Sequence, residues 1–211
     1  QIRALTFMQI KDLGLVDYQS TVNAMQSFTL ERDAETEDEL WLLEHHPVFT
    51  QGANGDPSHI LMDSTIPIVT TDRGGQVTYH GPGQLVVYTL VDIRRAKMGV
   101  RQMVTHLEQT VTNILAHYDI DAYARPDAPG VYVDEQKIAS LGLRVKRGAC
   151  YHGLSLNIDM DLVPFSYINP CGYAGMEVID MTSLGIDISM SEAKQQFVSA
   201  FQQQTQLGIN A

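Results

Sequence analysis

GVYVDEQKIASLGLRVKRGACYHGLSLN, residues 130–157, reads as three short strands in succession. The strands are Gly130 to Asp134, Lys137 to Val145 and Ala149 to Asn157, joined by turns at Glu135-Gln136 and Arg147-Gly148. Strands joined this tightly run antiparallel, because a parallel crossover needs about a dozen residues or more. Upstream, Gln84 to Val91 (QLVVYTLV) is apolar on both faces, as a central strand is. Leu40 to Leu43 and Ile68 to Thr71 are two further strand candidates, the first stopping before Pro47. Helices interleave with them. Asp17 can cap one whose face carries Tyr18, Val22, Met25 and Phe28. A second carries Val100, Met103, Val104, Leu107, Val111, Ile114 and Leu115 on one stripe. A third opens with the capping box Ser189 and Glu192 and continues through Phe197 and Phe201. The expectation is an α+β fold of mixed α/β layers with antiparallel pieces, not a doubly wound parallel sheet.

The 211 residues fit one domain, taken as residues 1–211, with enough chain to bury a core without staples. Lys plus Arg number 14 against 25 Asp plus Glu, a net charge of −11. A field of that sign disfavours nucleic acid and anionic membrane surfaces as partners. Two cysteines, Cys150 and Cys171, make no disulfide framework, and no signal peptide is read at the start, so a reduced cytoplasmic setting is the simplest expectation.

Three segments can carry chemistry. RGGQVTYHGPGQ (73–84) is dense in glycine and holds His80. Such a backbone can run close to a ligand, and it can equally form a glycine-rich hairpin turn. It has neither the P-loop nor the dinucleotide-binding spacing. NPCGYAGM (169–176) holds Cys171 between Pro and Gly on an irregular loop, which suits a reactive thiol or a structural one. Cys150 instead shares a strand face with His152, Leu154 and Leu156 and suits a small core residue. In KIASLGLRV (137–145), Lys137 shares the apolar face with Ala139, Leu141, Leu143 and Val145. Burial disfavours an ammonium and is expected to lower its pKa from about 10.4, which suits a general base; the other reading is a snorkelling lysine. His45 and His46 are adjacent, so at most one enters a given site. No HExxH, CxxC or GxSxG pattern supports a metal centre or a serine hydrolase, and no metal is expected.

Together with DAPGVYV (127–133) and EHHPVFTQG (44–52), these segments resemble the lipoyl(octanoyl) transferase family from about Leu40 to Met176. The resemblance implies a fold similar to the catalytic domain of biotin and lipoate–protein ligases. It implies transfer of an octanoyl group from octanoyl-acyl carrier protein to a lysine of a lipoyl domain, in 2-oxoacid dehydrogenase complexes or the glycine-cleavage carrier protein, with no cofactor. By motif, Cys171 is the acyl-thioester nucleophile and Lys137 its proton partner. The acyl group is bound by Arg73, Gly74, Gly75, Gln76, Val77, Thr78, Tyr79 and His80, by Ser140, Leu141 and Gly142, and by Gly153, Leu154 and Ser155. His80 and His45 line the site. Two rivals are an ATP-dependent lipoate–protein ligase, which needs no thiol nucleophile, and a non-catalytic lipoyl-domain binding module. A cysteine hydrolase is a third, disfavoured because no His–Asn/Asp orientation set follows from the spacing. Eight basic residues in two stretches, Arg94, Arg95, Lys97 and Arg101, then Lys137, Arg144, Lys146 and Arg147, suggest a surface that steers an acidic carrier.

Overall fold

The computed structural model describes residues 7–205 and 208–210. A strand at Phe7–Val16 (β1) leads into a helix at Tyr18–Glu31 (α1), then strands at Asp38–His45 (β2), Val48–Gln51 (β3), Ile68–Thr70 (β4), Thr78–His80 (β5) and Gln84–Asp92 (β6). The helix Val100–Ala116 (α2) precedes strands Tyr123–Ala124 (β7), Gly130–Val133 (β8), Gln136–Lys146 (β9) and Ala149–Asn157 (β10). Met190–Thr205 (α3) and a short strand Gly208–Asn210 (β11) complete the chain. Eight strands form one sheet in the order β11-β1-β2-β6-β10-β9-β8-β7, and β4-β3-β5 form a second. The β1–β2 and β1–β11 pairs are parallel, while every neighbour from β2 to β7 is antiparallel. The expected mixture of helices and antiparallel strands is therefore the architecture observed.

β6 shows why its sequence is apolar throughout. Leu85, Val87 and Val91 join a core beneath α2 and α3, whereas Val86, Tyr88 and Leu90 join a second core beneath α1. β2 splits likewise, Leu40 and Leu42 one way and Trp41 and Leu43 the other. Each such fully buried aliphatic side chain contributes about 1.5–3 kcal/mol by leaving water. The helix starts follow the sequence. Asp17 accepts a hydrogen bond from Ser20 N at 2.8 Å, and Ser189 and Glu192 cap α3 reciprocally. Among the described residues no helix is long and apolar enough to cross a membrane.

Three details depart from expectation. β1 carries little strand signal in sequence: among its described side chains only Met8 is fully buried and apolar, and Leu13 and Leu15 face solvent. The β8–β9 turn falls at Asp134-Glu135, one residue earlier than the composition suggests. Both turn residues have positive φ, 45° and 68°, as do Arg147 at 54° and Gly148 at 81° in the next turn. Positive φ at both central positions matches the twist of paired strands. Finally, His152 has φ 60°, which breaks the alternation along β10. Its ring leaves the face of Cys150, Leu154 and Leu156 and stacks on Tyr151, centroids 5.1 Å apart.

Candidate functional site

Lys137 lies at the start of β9, and the chain clamps its backbone. Its N–H donates to Glu177 O at 2.8 Å, and its carbonyl accepts from Ile179 N at 3.0 Å. Pairing with β8 shifts register between Val131 and Tyr132, leaving Ile138 as the extra residue of a bulge. The side chain is 1% exposed and folds back beside Gly130, whose pairing partner is Ser140. A Cβ at Gly130, where φ is 143°, would lie 2.5 Å from Lys137 Cε. Only glycine leaves room for the lysine stem there.

The ammonium meets Cys171. Lys137 Nζ donates to Cys171 Sγ at 3.0 Å. Cys171 sits in a tight turn, Pro170–Gly172, with φ 56° and ψ 20°. Its own N–H donates to Val77 O at 2.9 Å, and Gly172 N donates to Asn169 O at 2.9 Å. Two motifs far apart in sequence thus converge through the loop between Arg73 and Thr78. The direction of the Lys137 pKa corrects the sequence reading. Burial does pull it down, but the charge of Cys171 and the Tyr132 phenol together outweigh burial and the pKa is raised. The Tyr132 ring centroid is 5.4 Å from Nζ, and its hydroxyl donates to Ala128 O. Sequence reading missed Tyr132, since a strand tyrosine carries no signal of what lies beneath it. Cys150 is fully buried, and burial pushes its thiol up to about 11, an inert core residue as expected.

A cavity of about 410 Å³ opens from this pair. Its walls include Arg73, Gly74, Gly75, Gln76, Thr78 and His80 from the glycine-rich segment, Ser140, Leu141 and Gly142 from β9, and Gly153, Leu154 and Ser155 from β10. Tyr18, Val86, Tyr88, Val100, Val104, Ala128, Pro129, Leu143, His152 and Tyr173 complete the lining. Val77, Tyr79 and His45 stand outside it. Val77 and Tyr79 pack with Phe49, Phe165 and Ile168 under the small sheet, and His45 lies behind Tyr88. Arg73 is a fastener. Its guanidinium donates to Thr50 O, Thr50 Oγ1, Gly74 O and Gln76 O, all within 2.9 Å. Those bonds hold the glycine-rich loop across the sheet. A Cβ on Gly142 would meet Gly74 O at 2.8 Å, so the close crossing needs glycine on β9.

Three histidines are buried around the cavity and held neutral. His45 donates through Nδ1 to Val16 O and accepts at Nε2 from Tyr88 OH, 2.7 Å away; burial pushes its pKa down to about 4. His80 Nδ1 lies 2.7 Å from Gln84 Oε1, whose amide nitrogen is committed to Tyr79 O and Asn157 Oδ1. Nδ1 therefore carries the proton, and burial pushes His80 down to about 3. His152 Nε2 lies 2.8 Å from Asp72 Oδ1. The bond from His152 holds the Asp72 carboxyl well below the usual range, and burial lowers His152 itself despite that carboxylate. Asp72, which also accepts from Tyr151 OH and Gln26 Nε2, is a second residue the sequence did not single out.

An acid limit to stability follows. An unfolded histidine protonates near 6.5, whereas folded His45 and His80 resist until about 4 and about 3. Depressed pKa values in the folded state mean that stability is complete above about pH 6.5 and is lost below it, by up to ~1.4 kcal/mol per pH unit for each group. The urea midpoint is expected to fall clearly between about pH 7.5 and about pH 5. Equal midpoints at the two pH values would contradict this account.

Two members of the basic stretches are committed within the fold, and others meet at one end of β9. Lys137 is buried in the site, and Arg95 is bound to buried Asp38 at 2.8 Å. Arg144, Lys146 and Arg147 are exposed at the other end of β9, and Arg94 lies against Gly148 in the turn that follows. Arg144 is seven residues from Lys137, about 23 Å of strand.

Comparison with known proteins fits this geometry. Residues 17–202 match the family model described as the Lipoyl protein ligase A/B catalytic domain. An octanoyltransferase from Shewanella sp. (strain W3-18-1) is 59% identical over 198 residues, covering 94% of this chain and 91% of the relative. A crystal structure of lipoate-protein ligase A bound with ATP superposes with a TM-score of 0.80 at 15% identity, over 97% of this chain and 87% of that one. A bi-partite lipoate protein ligase from Thermoplasma acidophilum, described with its E2 lipoyl domain, gives 0.73 at 15% identity, over 97% and 84%. The chain belongs to the lipoyl protein ligase A/B catalytic-domain family.

Proposed function

We propose that this protein is an octanoyltransferase that moves an octanoyl group from a thioester of acyl carrier protein to a lysine of a lipoyl domain, through a thioester on Cys171. The observation that carries the reading is the 3.0 Å contact between Lys137 Nζ and Cys171 Sγ at the wall of a largely apolar cavity. In the first half-reaction the Cys171 thiolate attacks the acyl carbonyl and the carrier's sulfur leaves. The Lys137 ammonium hands that sulfur a proton and becomes a neutral amine. The new thioester resembles the old in energy, so the acyl group stays activated without ATP. In the second half-reaction the acceptor amine attacks, an amide forms, and the Cys171 sulfur leaves as thiolate. The Lys137 amine takes the proton released, which restores the starting pair.

The charge balance favours this order. In the free enzyme Cys171 and Tyr132 offset the burial of the Lys137 ammonium. Acylation removes the thiolate charge while burial remains, so the lysine becomes a better base when a base is needed. The acyl chain supplies its own affinity. Burying about seven carbons at ~0.8 kcal/mol each yields roughly 5–6 kcal/mol.

The test is the intact mass of the protein after incubation with octanoyl-acyl carrier protein and no nucleotide. Wild type is expected to gain one octanoyl group and lose it on addition of a lipoyl domain, and Cys171→Ala to gain none. An unmodified wild type, an adduct that survives Cys171→Ala, or a requirement for ATP would overturn the proposal.

A further inference from the structure

Tyr132 on β8 is the cross-strand partner of Lys137 on β9, so the two side chains share one face of the sheet. The phenol is fully buried. Its ring centroid lies 5.4 Å from Lys137 Nζ, and its hydroxyl donates to Ala128 O at 2.8 Å. A phenol has one proton to give and lone pairs to offer. The proton is spent on Ala128, so the oxygen is left as an acceptor beside the lysine. The ring is itself held. Arg125 lies over it at 5.1 Å, with its charge met by Asp127 at 2.7 Å, and Tyr123 stacks on it with centroids 6.0 Å apart.

In the free enzyme the ammonium donates to Cys171 Sγ at 3.0 Å. That partner lasts only as long as the thiolate does. A thioester sulfur carries no charge and is a weak acceptor. Lys137 is 1% exposed, so water has little access to take the place of the thiolate. Three elements bring titratable groups to the lysine: the turn at Pro170–Gly172 brings Cys171, β8 brings Tyr132, and α2 brings Glu108. Glu108 Oε1 is engaged by the Gly130 N–H at 3.1 Å. We propose that Tyr132 is a positioning residue for the second half-reaction, whose hydroxyl oxygen accepts from Lys137 Nζ once Cys171 is acylated. It aims the amine at the incoming lysine and steadies the ammonium that forms. The amide C–N bond forms, the C–S bond breaks, the acceptor's proton goes to Nζ, and Tyr132 keeps its own proton on Ala128.

This inference rests on octanoyl transfer through Cys171, and the experiment distinguishes the two. Acylation of Cys171 by octanoyl-acyl carrier protein, and transfer from isolated octanoyl-enzyme to a lipoyl domain, are timed separately in single turnovers. Wild type is compared with Tyr132→Phe, which keeps the ring. Only acylated molecules enter the second measurement, so a reduced folded fraction cancels. A hydroxyl that steadies the ammonium opposes proton loss in the first step and favours proton gain in the second. Tyr132→Phe is therefore expected to slow transfer by about tenfold or more and acylation far less. The change is expected in the limiting rate of transfer, not in the lipoyl-domain concentration that half-saturates it. A wall displaced at Ala128, which loses its donor in this variant, would slow both steps alike, because the acyl chain uses one cavity in each. Equal slowing of the two steps, a change confined to half-saturation, a variant that is not acylated, or transfer within about twofold of wild type would each overturn the role of Tyr132. None of these would touch octanoyl transfer through Cys171 in wild type. A wild type that forms no octanoyl-enzyme would instead remove the earlier reading.

Discussion

Lys137→Met is expected to cut octanoyl transfer by about 10²–10⁴-fold while leaving the protein folded, because an apolar chain of similar length replaces a buried cation. The loss has a particular shape. Lys137 gives a proton in the first half-reaction and takes one in the second, so single-turnover acylation of Cys171 and transfer to a lipoyl domain are both slowed. Normal turnover in this variant, or a defect in one half-reaction alone, would show that the contact is not the proton device described.

The second large effect concerns stability and lies far from the cavity. Asp38 is fully buried at the start of β2 and accepts from Arg32 at 2.6 Å, Arg95 at 2.8 Å and the Asp92 N–H at 2.8 Å. These bonds tie the residue that ends α1 to the turn that follows β6. Asp38→Ala leaves the Arg32 side chain, 6% exposed, without its countercharge. Breaking one side of a buried pair costs about 3–5 kcal/mol. Chemical denaturation should register that loss as a lower midpoint with an unchanged slope. A loss below about 1 kcal/mol would mean that Arg32 reaches water once its partner is removed.

The sequence was legible where one physical force dominates. β6 and β2 read as central strands because both their faces are apolar, and each face has its own core. Lys137 read as buried because its strand neighbours are apolar, and Cys171 read as a loop thiol because Pro170 and Gly172 flank it. Legibility ended where tertiary context decides. β1 is carried by its pairing with β2 and β11 and shows little pattern of its own. Strict alternation puts His152 on the face of Cys150 because it assumes an extended backbone, and the φ of His152 is 60°. The strand pattern predicts a lowered Lys137 pKa because burial is visible in sequence, whereas its neighbours Cys171 and Tyr132, which raise it, are not. Arg73 lines the cavity as its motif suggests, but its second task, with both terminal nitrogens donating to Thr50, Gly74 and Gln76, depends on tertiary neighbours that the motif does not show. Counting basic residues along the chain does not tell which are exposed, and one member of the second stretch is the buried lysine of the site.

The turn that carries Cys171 has a consequence for the tetrahedral stage of the reaction. As sulfur adds to the acyl carbon, the carbonyl oxygen becomes an oxyanion and must be met by preorganised donors. In many acyl-transfer sites the nucleophile's own amide is one of them. Here the amides of Cys171, Gly172 and Tyr173 already donate to Val77, Asn169 and Pro170. The turn is thus braced to aim the sulfur, and the negative charge must be stabilised from another wall.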